Sequence, residues 1–232
     1  MGMADIRREY SQGSLRRADL DANPVAQFQN WFAQAASGSR WRKIGIALFK
    51  LWHAILGHPP ADVNAMTLAT VGKDGKPSTR TVLLKGVDER GFVFFTNYDS
   101  RKSRELAENF NAALTFYWAG LERQVCVGGA VTKLSHEESE AYFKSRPRGS
   151  RLANWASNQY DVVADRAALG KKWDEMAARF SGGDVPLPPN WGGLFLKPEW
   201  IEFWQGRPSR LHDRFRYSRQ TDGSWKLERL AP

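Results

Sequence analysis

Two runs joined by a tight turn most constrain what this chain can become. Met66-Thr-Leu-Ala-Thr-Val71 and Thr79-Arg-Thr-Val-Leu-Leu-Lys85 are rich in β-branched and apolar residues, and Lys73-Asp74-Gly75 lies between them. An Asp-Gly pair supplies the left-handed backbone of a hairpin turn, so the spacing predicts two antiparallel strands. Further strands are predicted over 91–96, 112–118, 123–134, 193–204, 215–219 and 225–229. Helices interrupt this series. Asn23-Pro24 supplies an N-cap and a first-turn proline, and Val25, Phe28, Trp31 and Phe32 follow at helical spacing. Asp99-Ser100 caps a helix to about 109, and Ser135 with Glu138 forms a capping box that opens another to about 145. Two more are predicted over 152–158 and 165–180, with a Pro/Gly-rich crossing loop over 182–193. The order predicts a mainly β, α+β chain: a closed antiparallel barrel with flanking helices. No Gly-x-Gly-x-x-Gly turn follows a strand, which argues against a doubly wound parallel sheet.

The chain has 232 residues, 34 basic and 25 acidic, for a net charge of +9. That balance favours anionic partners: phosphorylated small molecules, nucleic acid or acidic membrane. The one cysteine, Cys126, sits in a strand-like run and reads as a packed thiol in a reducing compartment. No Cys/His cluster has metal-ligand spacing. The N-terminus is polar, and no apolar run reaches the length of a membrane span, so a cytoplasmic protein is expected. Residues 1–22 have few apolar anchors and are expected to be mobile unless a ligand or partner orders them. Residues 23–232 read as one domain. Within it, Trp41, Ile44, Leu48, Leu51, Trp52 and Ile55 give 40–57 the pattern of a basic amphipathic helix. Packing on its own domain and docking to a membrane surface or partner both remain open for that helix.

Several cationic groupings could bind anions. Between Trp204 and Arg214 lie three arginines, His212 and an indole, a set suited to a flat anionic ligand. Arg80 and Lys85 differ by an odd number, so a regular strand would point them to opposite faces and to two different groups. Arg101-Lys102 fall in the first turn of a predicted helix, where cations are disfavoured unless an anion binds there; Thr96 adds a hydroxyl upstream. Tyr142, Arg146 and Ser150, four apart, could surround a further phosphate. His212 could hold or move a proton, but no nucleophile motif accompanies it.

Taken together, Arg7-Arg-Glu-Tyr10, Arg80-Thr-Val-Leu-Leu-Lys85, Phe95-Thr-Asn97, Ser100-Arg-Lys102, Glu122-Arg-Gln124, Tyr142-Phe-Lys-Ser-Arg-Pro147, Trp191-Gly-Gly193, Ile201-Glu-Phe-Trp-Gln-Gly206 and Arg210-Leu-His-Asp-Arg214 resemble the pyridoxamine 5′-phosphate oxidase family over nearly the whole chain. The resemblance implies an FMN-binding split β-barrel that works as a homodimer, each site drawing on both subunits. It implies oxidation of pyridoxine or pyridoxamine 5′-phosphate to pyridoxal 5′-phosphate, hydride passing from C4′ to flavin N5, with dioxygen reduced to hydrogen peroxide. The FMN contacts it implies are Arg80, Thr81, Val82, Leu83, Leu84, Lys85, Phe95, Thr96, Arg101, Lys102, Gln124, Gln159, Trp204 and Arg214. Substrate contacts fall on Lys85, Tyr142, Arg146 and Ser150, with Arg210, Leu211 and His212 over the ring; Arg210 and His212 are the candidate catalytic pair. Arg7 and Tyr10 match a lid, Asp62 matches an acidic residue near the substrate, and 190–232 matches the dimerisation and active-site region. The segment around 40–60 is longer than the family pattern, and Tyr160 stands where a serine usually follows the glutamine. No metal is implied. Two other readings compete. One is a related split-barrel flavin oxidase acting on another anionic aromatic, such as a phenazine precursor. The other is a basic nucleic-acid module, which the clustering of cations at strand ends opposes.

Overall fold

The hairpin forms where the turn chemistry places it. In the computed structural model, which describes residues 2–5, 9–37, 62–157, 159 and 161–232, strand β1 (Ala65–Val71) pairs antiparallel with β2 (Pro77–Leu83), Met66 opposite Val82. Gly75 turns the chain at φ +71° and donates its N–H to Gly72 O at 3.1 Å. The remaining strands are β3 (Gly86–Asp88), β4 (Gly91–Asn97), β5 (Asn111–Trp118), β6 (Arg123–Lys133), β7 (Trp191–Gln205), β8 (Asp213–Arg219) and β9 (Trp225–Leu230). The helices are α1 (Pro24–Ser37), α2 (Arg101–Glu108), α3 (His136–Ser145), α4 (Arg148–Ala156) and α5 (Arg166–Arg179).

The sheet runs β2-β1-β5-β6-β7-β4-β3, with β8 on β7 and β9 on β8. Every pairing is antiparallel. Strand β7 organises it. One edge pairs with β6; the other pairs first with β4, over Gly192–Leu196 and Trp191, and then with β8, from Trp200 to Gln205. Between these partners the β6–β7 register shifts at Gly128/Gly129, opposite Pro198 and Trp200. A proline inside a strand is tolerated at such an irregularity because it has no N–H to donate. Gly128 leaves room for the Trp200 ring, whose atoms lie 2.3 Å from where a Cβ would stand. Strands β2 and β3, the ends of the path, form no ladder with each other. The expected closed barrel is therefore open along that seam: a curled half-barrel, split in the sense the resemblance implies.

The main core lies inside the curl. Phe28 and Trp31 of α1 pack on Phe92, Phe94, Leu114, Phe116, Val125, Val127, Ile201, Phe203, Phe215 and Tyr217. Fully burying a side chain of this size contributes about 1.5–3 kcal/mol, so α1 is held chiefly by this face. A second, smaller core of Phe143, Leu152, Val185 and Trp191 joins α3 and α4 to the start of β7. It fixes the side chains that project from those helices.

Some expected boundaries move. Strand β2 stops at Leu83 instead of Lys85, and the short β3 follows at once. The helix expected over 152–158 is α4, which starts earlier, at Arg148, with Pro147 as its N-cap, and ends at Ala156. The expected loop over 182–193 already contains the first residues of β7. The helix expected over 40–57, Arg7 and Tyr160 lie outside the described residues. Among the described residues, no helix is long and apolar enough to cross a membrane.

Candidate active site

Strands β2, β4 and β7 and helices α2, α3 and α4 converge on a cavity of about 640 Å³. Its walls carry Arg80, Thr81, Val82 and Leu83 from β2, Lys85 just beyond, Phe95, Thr96 and Asn97 from β4, and Lys102 from α2. Tyr142 and Arg146 from the end of α3, Ser150 and Asn154 from α4, Gln159 and Trp191 complete them. The strand-parity argument that separates Arg80 from Lys85 fails here. The β2 ladder ends before Lys85, and the chain bends as Leu84 N–H donates to Asn64 O and Lys85 N–H to Val93 O, both at 2.8 Å. Arg80 and Lys85 then line the same cavity, while Leu84 turns into the core at 7 % exposure.

Lys102 is the most informative group. It is 3 % exposed, and its Nζ donates to Gln159 Oε1 (2.8 Å), Thr96 Oγ1 (3.0 Å) and Ser100 Oγ (3.2 Å), all neutral oxygens. Burial, and secondarily the charge of Arg80, push its pKa down to about 8. A buried ammonium without a carboxylate partner is costly, and an incoming anion would remove that cost. Arg80 lies alongside. Its Nη1 donates to Thr70 Oγ1 and its Nη2 to Ser78 Oγ, and Nη2 also reaches Glu105 Oε2 at 3.3 Å. Arg101, the other first-turn cation, points elsewhere: its Nε donates to Glu105 Oε1 at 2.8 Å, it is about half exposed, and it is not on the cavity wall.

Phe95 stacks on Tyr142 with ring centres 3.8 Å apart and planes at 17°, and both lie nearly parallel to Trp191. The Arg146 guanidinium sits 4.9 Å over the Trp191 ring, and burial holds its pKa below the usual arginine range. Three buried donors here have no acceptor: Arg80 Nε, Arg146 Nη1 and Asn154 Nδ2. Orphaned donors at a cationic cavity suit a ligand rich in oxygen acceptors. The residues therefore fit a phosphorylated flavin and a phosphorylated substrate.

A second cluster forms at the far end of β7 from Trp191. The rings of Trp204 and His212 lie 4.7 Å apart, and Tyr10 stands edge-on to both, 5.5 and 5.6 Å away. Gln124 and Arg214 are register partners of Trp204. Arg214 is bound to Glu202 (2.9 Å), and Gln124 donates to Cys126 Sγ (3.3 Å). Arg207 N–H donates to His212 Nδ1 at 3.1 Å. Ser209 and Arg210 have φ of +55° and +61°, and Leu211 beside them is 70 % exposed. Two successive non-glycine residues in the left-handed region mark a strained turn. None of these residues lines the 640 Å³ cavity. Asp62 also lies outside the cavity wall. The N-terminal segment is held by Leu15, 4 % exposed in the main core, and by polar contacts: Ser11 and Gln12 N–H donate to the buried Glu122 Oε2 (2.7 and 2.8 Å), and Leu15 N–H donates to Asp213 (3.0 Å).

Comparison with known proteins matches residues 60–180 to the family described as pyridoxamine 5′-phosphate oxidase. Residues 191–232 match the pyridoxine 5′-phosphate oxidase C-terminal dimerisation region. The pyridoxine/pyridoxamine 5′-phosphate oxidase 1 of Ralstonia nicotianae is 54% identical over 99% of both chains. The chain belongs to the pyridoxine/pyridoxamine 5′-phosphate oxidase family. The corresponding oxidase of Nostoc punctiforme is 50% identical, covering 99% of this chain and 98% of that one. Among solved structures, PhzG from Burkholderia lata in complex with tetrahydrophenazine-1-carboxylic acid superposes with TM-score 0.76 at 29% identity, over 93% of this chain and 95% of that one. A pyridoxamine 5′-phosphate oxidase-related, FMN-binding protein of Nostoc punctiforme shares the fold with TM-score 0.60 at 20% identity, over 84% and 99%.

Within this oxidase-family chain, the structure gathers one part of the expected site in the cavity and leaves another part at the far end of β7. Asn97, Pro147, Ala153, Asn154, Ser157 and Trp191 line the cavity but were not expected there. Asn154 was within reach of a helical-spacing argument, four residues beyond Ser150 on the same face. Trp191 reaches the cavity only through the pairing of β7 with β4, which no local pattern encodes.

Proposed function

We propose that this chain oxidises pyridoxine or pyridoxamine 5′-phosphate to pyridoxal 5′-phosphate with bound FMN, in a homodimer, passing the electrons to dioxygen and releasing hydrogen peroxide; from the amine substrate, water takes the place of the nitrogen, which leaves as ammonia. The observation that carries the reading is the buried Lys102 ammonium, held among the described residues by neutral oxygens alone, in one cavity with Arg80, Arg146 and Lys85. Such a cavity can take two phosphates. FMN, when bound, supplies the hydride acceptor. Arg80, Lys102 and Thr96 would hold its phosphate, and the β2 edge from Thr81 to Leu83 would border its ring. Lys85, Tyr142, Arg146 and Ser150 would hold the substrate phosphate, and Asn154 Nδ2 adds a donor. His212 accepts a backbone N–H at Nδ1, so its neutral ring carries the proton on Nε2 and can offer it there. Arg210 and His212 would come from the second subunit, because in this chain they stand away from the cavity. The reading needs neither nucleic acid nor a membrane surface, and a reducing cytoplasm suits the lone Cys126.

The purified protein should be yellow, with a flavin absorbance spectrum. It should turn over both phosphorylated vitamers under oxygen, forming one peroxide per pyridoxal 5′-phosphate. Arg146→Ala should leave that spectrum intact and weaken the phosphorylated vitamer by roughly tenfold or more, as expected for a lost charged hydrogen bond. Affinity that hardly changes would move the assignment toward an unphosphorylated anionic aromatic, the class of ligand found with the PhzG relative.

A further inference from the structure

We propose that Glu105 is a positioning residue that acts through Arg80, giving the cavity its preference for a phosphorylated flavin over the unphosphorylated one. The inference rests on the FMN reading above. A carboxylate beside an anion site looks out of place, yet Glu105 is 9 % exposed and its oxygens are fully engaged. Oε2 accepts from Ser78 Oγ (2.5 Å), Thr70 Oγ1 (2.6 Å) and Arg80 Nη2 (3.3 Å), and Oε1 accepts from Arg101 Nε (2.8 Å). The same two hydroxyls also accept from Arg80 Nη1 and Nη2. A hydroxyl has one proton to give. Because Thr70 and Ser78 both give theirs to Glu105, their lone pairs face Arg80 and hold its guanidinium from both ends. Burial alone would raise the Glu105 carboxyl, but hydrogen bonds from Ser78, Thr70, Arg101 and Arg80 outweigh it and bring the group to about 2. The carboxylate is thus ionised at any physiological pH.

Charge balance agrees. Arg80, Arg101 and Lys102 less Glu105 leave a net of two positive charges, the complement of a phosphate monoester near −2. Removing the carboxylate has two opposed effects. It raises the local positive charge, which favours anions. It also releases Arg80, whose side chain is 12 % exposed, from its only carboxylate partner among those described. For a desolvated pair the second effect is the larger, since the remaining charge is left buried and unpaired.

The test titrates FMN and riboflavin into flavin-free wild type, Glu105→Gln, Glu105→Asp and Arg80→Met, reading flavin fluorescence. Glu105→Gln should weaken FMN on the order of tenfold and leave riboflavin within about twofold. Glu105→Asp, which keeps the charge, should recover part of the FMN preference. The double variant Glu105→Gln/Arg80→Met should bind FMN no more weakly than Arg80→Met alone. Parallel loss of both flavins would overturn the proposal in favour of a general structural role. Unchanged or tighter FMN binding by Glu105→Gln would overturn it as well. Wild type that binds FMN no better than riboflavin would overturn the phosphate-site reading itself, and the proposal with it.

Discussion

At the scale of single residues, the site is organised by where charge is left without a counter-charge. Glu105 satisfies Arg80 and Arg101, but among the described residues Lys102 finds only Thr96, Ser100 and Gln159. This asymmetry has a stability consequence. The folded pKa of Lys102 is about 8, below the unfolded value of about 10.4. Below pH 8 both states carry the proton, and the folded flavin-free protein bears the full cost of a buried charge. Between these two values the folded state sheds its proton while the unfolded state keeps it, so this group's contribution to stability rises with pH. At about 1.4 kcal/mol per pKa unit, the cost at neutral pH is about 3 kcal/mol. Lys102→Met should therefore raise the denaturant midpoint of the flavin-free protein at pH 7, and the gain should shrink steadily from pH 8 to 10. A gain independent of pH would mean that the ammonium is solvated. The helix rule that cations are disfavoured in a first turn flagged Arg101 and Lys102 equally. Only the fold shows that Arg101 is neutralised by the carboxylate four residues on, while Lys102 faces the cavity.

At the scale of elements, local chemistry wrote most of the secondary structure. The Asp74-Gly75 turn, the Asn23-Pro24 helix start and the Ser135/Glu138 capping box each appear as expected, because each is satisfied by atoms within a few residues. What was not legible depends on partners far along the chain. Strand β3 is three residues long and exists because β4 pairs with it. Strand β7 starts earlier than its hydrophobic run suggests, because Trp191 and Gly192 complete the ladder with β4. The N-terminal segment is a further case. Ser11 and Gln12 are bound to Glu122, a carboxylate 1 % exposed in a left-handed turn at φ +53°. Nothing near residue 11 in sequence announces a partner beyond residue 120. Glu122→Ala should release both amides and, with them, the Tyr10 ring from Trp204 and His212. Hydrogen exchange should then show Ser11 and Gln12 losing protection while the β6–β7 ladder keeps it. Unchanged protection at those two amides would show that other contacts hold the segment.

At the scale of the whole molecule, the candidate residues divide into two sets that one chain does not bring together. Arg80, Lys102, Tyr142, Arg146 and Ser150 share the cavity beside Trp191, whereas Trp204, His212 and Tyr10 gather at the opposite end of the same long strand, with Arg210 in the turn that follows it. A strand is stiff and extended at about 3.3 Å per residue, so no side-chain movement closes that gap. A second copy can. In a two-fold dimer the same patch serves both subunits, and each cavity can receive the far end of its partner's β7. The match of residues 191–232 to a dimerisation region supports this arrangement. Such a dimer would also account for motifs that group both sets as one site, because a motif records which residues meet, not which copy supplies them. The consequence is measurable by complementation. Lys102→Met damages the cavity and His212→Ala damages the distal cluster, so each homodimer should be nearly inactive. When the two are unfolded together and refolded as a mixture, random pairing makes half the dimers mixed, and each mixed dimer has one site with both sets intact. Activity should recover to about a quarter of the wild-type level. Mixing without unfolding should restore little until subunits exchange. A refolded mixture as inactive as its parents would place both sets in a site built by one chain, and the two-copy arrangement would fall.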